Sequence, residues 1–293
     1  MEVGHPGLAA KIRASAELIA LRHTVFALPF AFMGMLLAAG GLPTLRTVGF
    51  ITVAMVGART AAMAFNRLAD HRFDSENPRT AGRPLPSGRL SRRWARGLLL
   101  ASSALFVIAA AALNHLCFYL SPLALALILS YSLTKRFTSL THLHLGAALG
   151  LAPVGAWIAV RGSIEAAPLI LGAAVTCWTA GFDIIYACQD REYDLTASLH
   201  SLPARLGIAG ALKVSTALHV LMVIALAALP ILVPLGYVYA IGVIGVGVIL
   251  AFEHRMVRPD DLSRVNAAFF SANGWISVGL LAATLIDIAT FGA

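Results

Sequence analysis

Two long stretches of the chain contain no Asp, Glu, Lys or Arg, and they constrain the fold more than any other feature. They cover residues 97–134 and 214–252. A helix that crosses a bilayer needs about 20 apolar residues, so each stretch is long enough for two such helices. Asn114 and His115 interrupt the first stretch, and residues 230–234, which begin and end with proline, interrupt the second. Each stretch therefore predicts two membrane-spanning helices joined by a tight turn.

Five more apolar segments, at residues 21–40, 47–69, 141–160, 166–188 and 266–289, bring the expected number of spans to nine. The composition agrees, because 12% of the residues are charged and 59% are hydrophobic, whereas soluble domains average about a quarter charged and half apolar. The segments also lack the alternating pattern of barrel strands. We predict an all-α integral membrane protein with nine transmembrane helices in a single bundle, forming one membrane domain over residues 1–293.

The basic residues between the spans predict the orientation of the chain. Every second loop holds only Arg46 or Arg161, whereas the N-terminal segment and the other loops are rich in Lys and Arg. Cytoplasmic loops of membrane proteins carry this excess. We therefore expect the N-terminus and the longest loops, at about 70–94 and 190–210, on the cytoplasmic side of the inner membrane, with the C-terminus outside. The net charge of +8 then belongs to membrane loops and does not predict nucleic-acid binding.

The remaining small signals exclude some alternatives. The first apolar segment lacks a convincing cleavage site, so we expect it to be retained as a span. The three cysteines, Cys117, Cys177 and Cys188, lie in or at the ends of apolar segments. They form no CxxC pair and no Cys/His cluster with the spacing of metal ligands, so neither a disulfide framework nor a zinc site is predicted.

Acidic residues are concentrated at the cytoplasmic ends of two predicted helices. The first set is Asn66, Asp70 and Asp74, spaced four apart, which would share one face of a helix. In the second set, Asp190 and Asp194 are again four apart, and Asp183 precedes them by two helical turns. The repetition suggests two structurally equivalent halves around a central cavity.

Carboxylates spaced in this way point to a hard divalent cation. Like charges four apart on a helix repel each other, and ionisable groups near the bilayer are costly unless they serve a function. Magnesium relieves the repulsion, because it takes oxygen ligands and is usually held by one or two carboxylates together with substrate phosphates. Two facing DxxxD motifs predict two Mg²⁺ ions with a diphosphate between them. Each motif alone could instead be a solvated helix end.

Basic residues near the motifs are candidate ligands for anions. Arg59 lies inside the second span, seven residues before Asn66, where its guanidinium could grip a diphosphate or an acceptor carboxylate. Lys135, with Tyr131 one helical turn before it, could bind phosphate at the end of the fourth span. Each also has a structural explanation, as a paired buried arginine or as a membrane anchor. Two loop arginines, Arg72 and Arg83, are further phosphate candidates that could equally anchor the loop.

These motifs together resemble the UbiA superfamily of intramembrane prenyltransferases. The family motif NxxxDxxxD corresponds to Asn66–Asp74 here, and its second DxxxD motif corresponds to Asp190 and Asp194. Matching segments are Phe-Asp-Ile-Ile-Tyr-Ala, with Asp183 and Tyr186, and Tyr-x-x-x-Lys, with Tyr131 and Lys135. The loop Asn-Pro-Arg-Thr-Ala-Gly-Arg-Pro-Leu-Pro-Ser-Gly at residues 77–88 is also typical of the family. The resemblance covers nearly the whole chain.

The resemblance implies Mg²⁺-dependent transfer of a polyprenyl group from its diphosphate to an aromatic acid, in ubiquinone or menaquinone biosynthesis. The four aspartates of the two motifs would be catalytic and, with Asn66, would bind metal. Substrate would contact Arg59, Arg72, Arg83, Tyr131, Lys135, Asp183 and Tyr186. The chain is most similar to the 4-hydroxybenzoate polyprenyltransferase-like group, but residues 23–31 and 57–66 also fit a branch whose acceptor would be a dihydroxynaphthoate. The alternatives are a cation-coupled transporter and a UbiA-like enzyme with another acceptor.

Overall fold

A computed structural model describes residues 7–19 and 24–291, and this part of the chain is built almost entirely from helices. The helices are α1 (Leu8–Leu18), α2 (Thr24–Ala39), α3 (Leu45–Ala69), α4 (His71–Glu76), α5 (Arg92–Leu113), α6 (His115–Thr134), α7 (Thr141–Arg161), α8 (Ala166–Ala187), α9 (Arg191–Thr196), α10 (Leu202–Ala228), α11 (Tyr237–Met256), α12 (Val265–Ala267) and α13 (Asn273–Phe291). The predicted all-α membrane fold is confirmed.

Within the described residues, eight helices are long and apolar enough to cross a membrane: α3, α5, α6, α7, α8, α10, α11 and α13. The predicted first span corresponds to α2, which has 16 described residues and is too short to qualify by the same measure. Residues 21–23 of that predicted span lie outside the described residues. The count of nine spans, and the prediction of one membrane domain over residues 1–293, therefore stay predictions.

Both predicted interruptions of the long apolar stretches are present. The Asn114 side chain accepts a hydrogen bond from the Cys117 amide and so caps the start of α6. Its Nδ2 also donates to the Ile158 carbonyl at 2.7 Å, which fixes the turn between α5 and α6 to the end of α7. In the second stretch, a 3-10 turn at Leu229–Ile231 ends the α10 segment, and α11 begins at Tyr237.

The helices pack around a core of large apolar side chains. Helix α8 packs against α7 and α10, α2 packs against α7 and α13, and α13 packs against α11. Trp178 is fully buried in this core, and its ring lies 5.0 Å from the rings of Phe30 and Phe182. Helix α3 packs instead against α5. The two helices that lead into the acidic motifs, α3 and α8, therefore stand in different surroundings.

The two predicted cap loops contain more helix than the sequence suggested. The first loop holds the short helix α4, and the second holds α9 and the beginning of α10. We expected the seventh span to begin near residue 214, but α10 begins at Leu202. The Ser201 side chain accepts a hydrogen bond from the Ala204 amide, and Gly207, with φ 70° and ψ 171°, kinks the helix after its first turns. A left-handed φ of this kind favours glycine.

Candidate active site

The two acidic motifs have the same local backbone. Helix α3 ends at Ala69, Asp70 has φ −92° and ψ 7°, and α4 follows at once. Helix α8 passes into a 3-10 turn, Asp190 has φ −97° and ψ 3°, and α9 follows. Both aspartates lie near the bridge region of backbone conformations, where many active-site residues are found. The predicted single helix through each motif is therefore wrong in this detail.

A change of helix at Asp70 does not remove the four-residue register of the first motif. The Asp70 amide donates to the Asn66 carbonyl at 2.8 Å, and the Asp74 amide donates to the Asp70 carbonyl at 2.7 Å. Asp74 is the fourth residue of α4, and Asp194 is the fourth residue of α9. Each motif thus places one acid at the break and one on the short helix that follows.

Each carboxylate of the first motif contacts arginine. Asp74 is nearly buried, and its Oδ1 lies 2.7 Å from Arg83 Nη1, while its Oδ2 lies 3.6 Å from Arg67 Nη1. Asp70 is more exposed and lies 3.5 Å from Arg136 Nη2. Burial and the nearby charge of Asp74 raise the pKa of Asp70, and Arg136 opposes this shift. The two carboxylates of the first motif therefore lie among three arginines, Arg67, Arg83 and Arg136.

The second motif is paired with bases from distant parts of the chain. Arg79 grips Asp190 with two nitrogen atoms, Nε to Oδ1 at 2.9 Å and Nη2 to Oδ2 at 2.7 Å. Lys135 Nζ lies 2.6 Å from Asp194 Oδ1, and the Asp194 side chain is completely buried. These contacts connect the loop after α4 and the end of α6 to the segment that follows α8.

Both motifs line one cavity of about 150 Å³ at the end of the bundle where α3, α6 and α8 terminate. The Tyr193 hydroxyl donates to the Phe73 carbonyl at 2.9 Å and so joins α9 to α4 beside the cavity. A wider cavity of about 460 Å³ adjoins it and shares Asp194 and Leu199. The charged residues that line the smaller cavity are Asp70, Asp74, Arg79, Arg83, Lys135, Arg136, Asp190 and Asp194.

The donors in the cavity suit a hard divalent cation. Among the described residues, Asp74 Oδ2 and both oxygens of Asp194 are buried without a hydrogen bond of good geometry. Asp74 Oδ2 has a longer ion-pair contact with Arg67, and Asp194 Oδ1 is paired with Lys135, so Asp194 Oδ2 is the oxygen with neither kind of partner. Within the same described part of the chain, no three Asp, Glu, His or Cys side chains come together as a ready-made metal cluster. Magnesium does not require one, because it commonly takes one or two carboxylates and completes its shell with water and phosphate oxygens. The residues present therefore fit magnesium.

The other predicted site residues lie around the cavity and not on its wall. Asn66 donates from Nδ2 to Asp70 Oδ2 at 2.8 Å. Arg59 and Tyr131 are near enough to interact electrostatically, and Arg59 Nε is buried without a hydrogen-bond partner in the described structure. The Tyr186 hydroxyl accepts from Arg79 Nη1 at 3.3 Å. These four residues remain next to the acids or deeper in the bundle.

Two predicted residues have other partners. Asp183 Oδ2 lies 2.7 Å from His142 Nδ1, and His142 Nε2 accepts from the Leu202 amide at 3.4 Å. Together these contacts assign the Nδ1–H tautomer, which donates to Asp183. The Arg72 side chain is 85% exposed and pairs with Glu76, so the structure does not bring it to the cavity.

Sequence reasoning missed several residues of the site. Arg79 stands in the recognised loop and Arg136 stands next to Lys135, so adjacency to known motifs was an available signal for both. Arg67, inside the first motif, was visible in the same way. Tyr193 and His142 carried no comparable signal, because their contacts join segments that are far apart in the chain.

Comparison with known proteins identifies the family of the chain. The model of the UbiA prenyltransferase family matches residues 27–276. A 4-hydroxybenzoate octaprenyltransferase of Alcanivorax borkumensis is 33% identical over 222 residues, covering 76% of each chain. Another, from Shewanella woodyi, is 30% identical over 261 residues, covering 87% of this chain and 88% of the relative.

Solved structures give the same answer for the fold. A UbiA homologue from Aeropyrum pernix, solved in its apo form, has a TM-score of 0.82 and 36% identity, covering 90% of this chain and 98% of the homologue. A UbiA homologue from Archaeoglobus fulgidus bound to DMAPP and Mg²⁺ has a TM-score of 0.75 and 22% identity, covering 94% and 99%. The family match extends over most of the chain and both acidic motifs. The chain therefore belongs to the UbiA prenyltransferase family and is a multi-pass membrane prenyltransferase.

Proposed function

We propose that this enzyme transfers a polyprenyl group from polyprenyl diphosphate to an aromatic acid, in a reaction that depends on two Mg²⁺ ions. The observation that carries the proposal is the convergence of four acidic and four basic side chains on one cavity. Acids without bases would suit a simple cation site, and bases without acids would suit a simple anion site. The mixed lining suits a diphosphate bound together with divalent cations. Membership of a prenyltransferase family sets aside the transporter alternative.

The acids and the bases have separate roles in this proposal. The carboxylates of Asp70, Asp74, Asp190 and Asp194, with the Asn66 amide beside them, would hold the metal ions. Bound magnesium supplies positive charge that offsets the negative charge of the departing diphosphate. Arg79, Arg83 and Lys135 would bind phosphate oxygens, since guanidinium and ammonium groups are strong donors to phosphate. Tyr186, which already contacts Arg79, would orient that arginine.

The reaction exchanges one bond for another. The bond between the first prenyl carbon and the diphosphate oxygen breaks, and the diphosphate leaves with the electron pair. A ring carbon of the acceptor forms a new bond to the prenyl carbon, and the ring then loses a proton. The residues between α4 and α5 would keep water from the reactive prenyl carbon. This segment is fixed beside Asp74, because the Thr80 hydroxyl donates to the Asp74 carbonyl and Arg83 pairs with the Asp74 side chain.

Arg59 is the candidate ligand for the acceptor carboxylate. It lies seven residues before Asn66 on α3, which places it about 10 Å deeper along the helix axis. Its buried Nε has no hydrogen-bond partner in the described structure, and a buried charged donor without a partner is costly. A carboxylate bound by this guanidinium would remove that cost, and Tyr131 lies near enough to contribute. Asp183, which His142 holds in place, would face the same substrates from α8.

The proposed acceptor is 4-hydroxybenzoate, which the names of the relatives support, and a dihydroxynaphthoate is the alternative. The test incubates membranes that contain the enzyme with labelled polyprenyl diphosphate, magnesium and each acid separately. We expect labelled product with 4-hydroxybenzoate and none after chelation of magnesium. Product only with the dihydroxynaphthoate would reassign the acceptor. Passage of substrate across the membrane without any covalent product would reject the proposed reaction.

The role of Arg59 needs its own test. We expect Arg59→Gln to lower kcat/KM for the aromatic acid about 10- to 100-fold, because hydrogen bonds to charged groups contribute about 1.5–3 kcal/mol. The KM for polyprenyl diphosphate should change little. With a phenol that lacks the carboxylate, variant and wild type should react at similar rates. An equal loss of kcat/KM with both acceptors would show that Arg59 does not bind the acceptor carboxylate.

We also propose that the enzyme lies in the inner membrane with its active site on the cytoplasmic side. The alternation of basic loops supports this orientation. The test places single cysteines at the exposed Arg93, in the first turn of α5, and at the partly exposed Ser163, after α7, and labels intact cells with a membrane-impermeant thiol reagent. Only the cysteine at position 163 should react. Labelling at position 93 alone would reverse the orientation.

A further inference from the structure

Arg79 makes the most complete contact with any acid of the two motifs. Its Nε and Nη2 atoms bind the two carboxylate oxygens of Asp190 at 2.9 and 2.7 Å. Its third nitrogen, Nη1, donates to the Tyr186 hydroxyl at 3.3 Å. Among the four motif acids, Asp190 is thus the one whose two oxygens are both occupied by a single basic group.

A divalent cation and Arg79 compete for the same two atoms. Magnesium binds oxygen ligands at about 2.0–2.1 Å, and a guanidinium in contact with the same oxygens would repel the metal at that distance. Each carboxylate oxygen keeps a second lone pair, but a metal ion that uses the lone pairs facing Arg79, or both Asp190 oxygens together, can bind only after the Arg79 side chain has left Asp190. The Arg79 side chain is 37% exposed, so it can move towards the cavity mouth without disturbing the packed core.

We propose that Arg79 exchanges one partner for another, from the Asp190 carboxylate to the substrate diphosphate, and that this exchange couples metal binding to diphosphate binding. A planar guanidinium binds phosphate oxygens in the same two-point manner as a carboxylate. A diphosphate in the cavity would therefore offer Arg79 new hydrogen bonds in place of those to Asp190, and the Asp190 carboxylate would then be free to bind the metal. This inference rests on the proposed function, because it takes the cavity to hold a metal ion and a diphosphate.

Two other contacts point in the same direction. Arg83 Nη1 is 2.7 Å from Asp74 Oδ1, and Lys135 Nζ is 2.6 Å from Asp194 Oδ1. In each of these pairs the second carboxylate oxygen lacks a hydrogen bond, although Asp74 Oδ2 has a longer contact of 3.6 Å with Arg67. Asp74 and Asp194 therefore each have an oxygen that is held less tightly than either oxygen of Asp190. Release of Asp190 is then the step that depends most on diphosphate. Coupling of this kind must be reciprocal, so the metal also tightens diphosphate binding.

The test measures binding and not turnover. Purified enzyme in detergent is titrated with Mn²⁺, a spectroscopic probe for the magnesium sites, with and without a non-reactive prenyl thiodiphosphate. For the wild type, we expect the analogue to tighten Mn²⁺ binding about 5- to 150-fold, the usual range of coupling between two sites. Arg79→Gln should bind Mn²⁺ alone about two- to fivefold more tightly than the wild type, since a competing ion pair of this exposure is gone. The factor by which the analogue tightens Mn²⁺ binding should be smaller for Arg79→Gln than for the wild type.

The control is Arg93→Gln, which removes one positive charge from an exposed position in the first turn of α5, outside the cavity. It should behave as the wild type, which separates competition from a general change in charge. Arg79→Lys keeps the charge but cannot cover both oxygens, and it should shift Mn²⁺ binding in the same direction by a smaller factor. This second variant decides the question if Arg79→Gln does not fold.

The outcomes separate this inference from the function on which it rests. Unchanged or weaker Mn²⁺ binding by the folded Arg79 variants would overturn the exchange while leaving the active site intact. Equal Mn²⁺ affinity of the wild type with and without bound analogue would overturn the coupling. If the wild type bound neither Mn²⁺ nor the analogue, the proposed function would fail as well.

Discussion

The two acidic segments share a backbone but differ in the origin of their counter-charges. In each segment the first acid lies at a break between helices and the second is the fourth residue of a six-residue helix. The first acid is also the more exposed of the two, at 28% against 9% in the first motif and 14% against 0% in the second. The acids therefore repeat in position, conformation and order of burial.

The bases do not repeat. Every base that contacts a motif acid comes from the first half of the described chain: Arg67, Arg79, Arg83, Lys135 and Arg136. Two arginines beside the second motif have other partners, since Arg191 donates to the Pro203 carbonyl and Arg205 donates to the Ser139 hydroxyl. A repeated pair of acidic groups suits two similar cations, whereas a one-sided set of bases suits a single polyanion. This asymmetry is what the proposed pairing of two magnesium ions with one diphosphate requires.

The largest expected effect follows from removing one acid of each segment. We expect Asp70→Ala and Asp190→Ala each to lower turnover at least about 10²- to 10³-fold, because each removes negative charge that holds the compensating metal. If the acids are truly equivalent, the two losses should agree within about tenfold. Turnover is measured with labelled polyprenyl diphosphate and saturating magnesium.

The control for this pair is Asp260→Ala, which removes an exposed acid from the segment between α11 and α12. It should keep wild-type turnover. All three variants should remain folded in membranes, as judged by their elution and melting in detergent. Near wild-type turnover of both motif variants would show that the carboxylates do not serve the reaction.

The next largest effect should separate the buried pair from the exposed pair. Lys135→Met leaves Asp194 fully buried without its cation, and we expect a cost of about 3–5 kcal/mol in the free energy of unfolding. Arg136→Met leaves the more exposed Asp70, whose contact is 3.5 Å long, and should cost about 1 kcal/mol. Thermal unfolding in detergent compares the two variants directly.

A double variant makes the reason for that loss testable. Lys135→Met combined with Asp194→Asn removes the unpaired charge, so most of the lost stability should return. If the double variant were as unstable as Lys135→Met alone, packing of the lysine side chain would explain the loss. Equal destabilisation by Lys135→Met and Arg136→Met would contradict the difference in burial between the two segments.

The spans and the acids could be predicted from sequence because each depends on local pattern. Uncharged stretches longer than one span require a break, and Asn114 supplies both the break and the cap. The spacing of the aspartates likewise placed them at the ends of α3 and α8. The early start of α10 was also readable in principle, since Ser201 and Pro203 form a typical helix beginning.

The pairing of charges could not be predicted in the same way. Arg79 and Asp190 are separated by 111 positions in the chain, and many arginines of the same loop were equivalent candidates by sequence. The choice between them depends on how α4 and the following turns fold over the cavity. Arg72 points away to Glu76 while Arg83 reaches Asp74. Such choices follow from three-dimensional packing, and no local pattern in the sequence specifies them.

A smaller effect should reveal the different surroundings of the helices that lead into the motifs. Helix α8 meets α7 so closely that a methyl group on Gly150 would stand 2.5 Å from the Gly172 carbonyl oxygen. We expect Gly150→Ala to cost about 1–3 kcal/mol of stability through overpacking. Gly155→Ala, on the same helix with open space around it, should not lower stability and should raise it by up to about 1 kcal/mol, because alanine is the better helix former.

The corresponding contact of the first motif is looser. A methyl group on Gly57 of α3 would lie 3.0 Å from backbone atoms of α5, so Gly57→Ala should cost less than Gly150→Ala. Melting temperatures of the three alanine variants in one detergent give the ranking. A larger loss for Gly57→Ala than for Gly150→Ala would show that α3, and not α8, has the tighter packing interface.

The smallest expected effect concerns the ion pair between Glu17 and Arg89, which joins α1 to the loop that carries Arg79 and Arg83. Glu17 of α1 binds Arg89 through two nitrogen atoms, at 2.6 and 2.8 Å, and Arg89 also donates to the Gly82 carbonyl. The hydrogen bonds from Arg89 lower the pKa of Glu17 below its ordinary value of 4.5. Both side chains are about half exposed, so Glu17→Gln should cost less than about 0.5 kcal/mol at neutral pH.

The sign of this effect gives it a recognisable pH dependence. Because the folded-state pKa of Glu17 is lowered, its contribution is fully present above pH 4.5 and disappears as the pH falls through the lowered value. The melting temperatures of wild type and Glu17→Gln should therefore differ slightly at pH 7 and converge in more acidic buffer. A difference that persisted there would mean that the glutamate acts through packing and not through its charge. The Glu17–Arg89 pair contacts the loop between α4 and α5, which also carries Arg79 and Arg83. Turnover of Glu17→Gln at pH 7 therefore also measures how far the placement of these two arginines depends on α1.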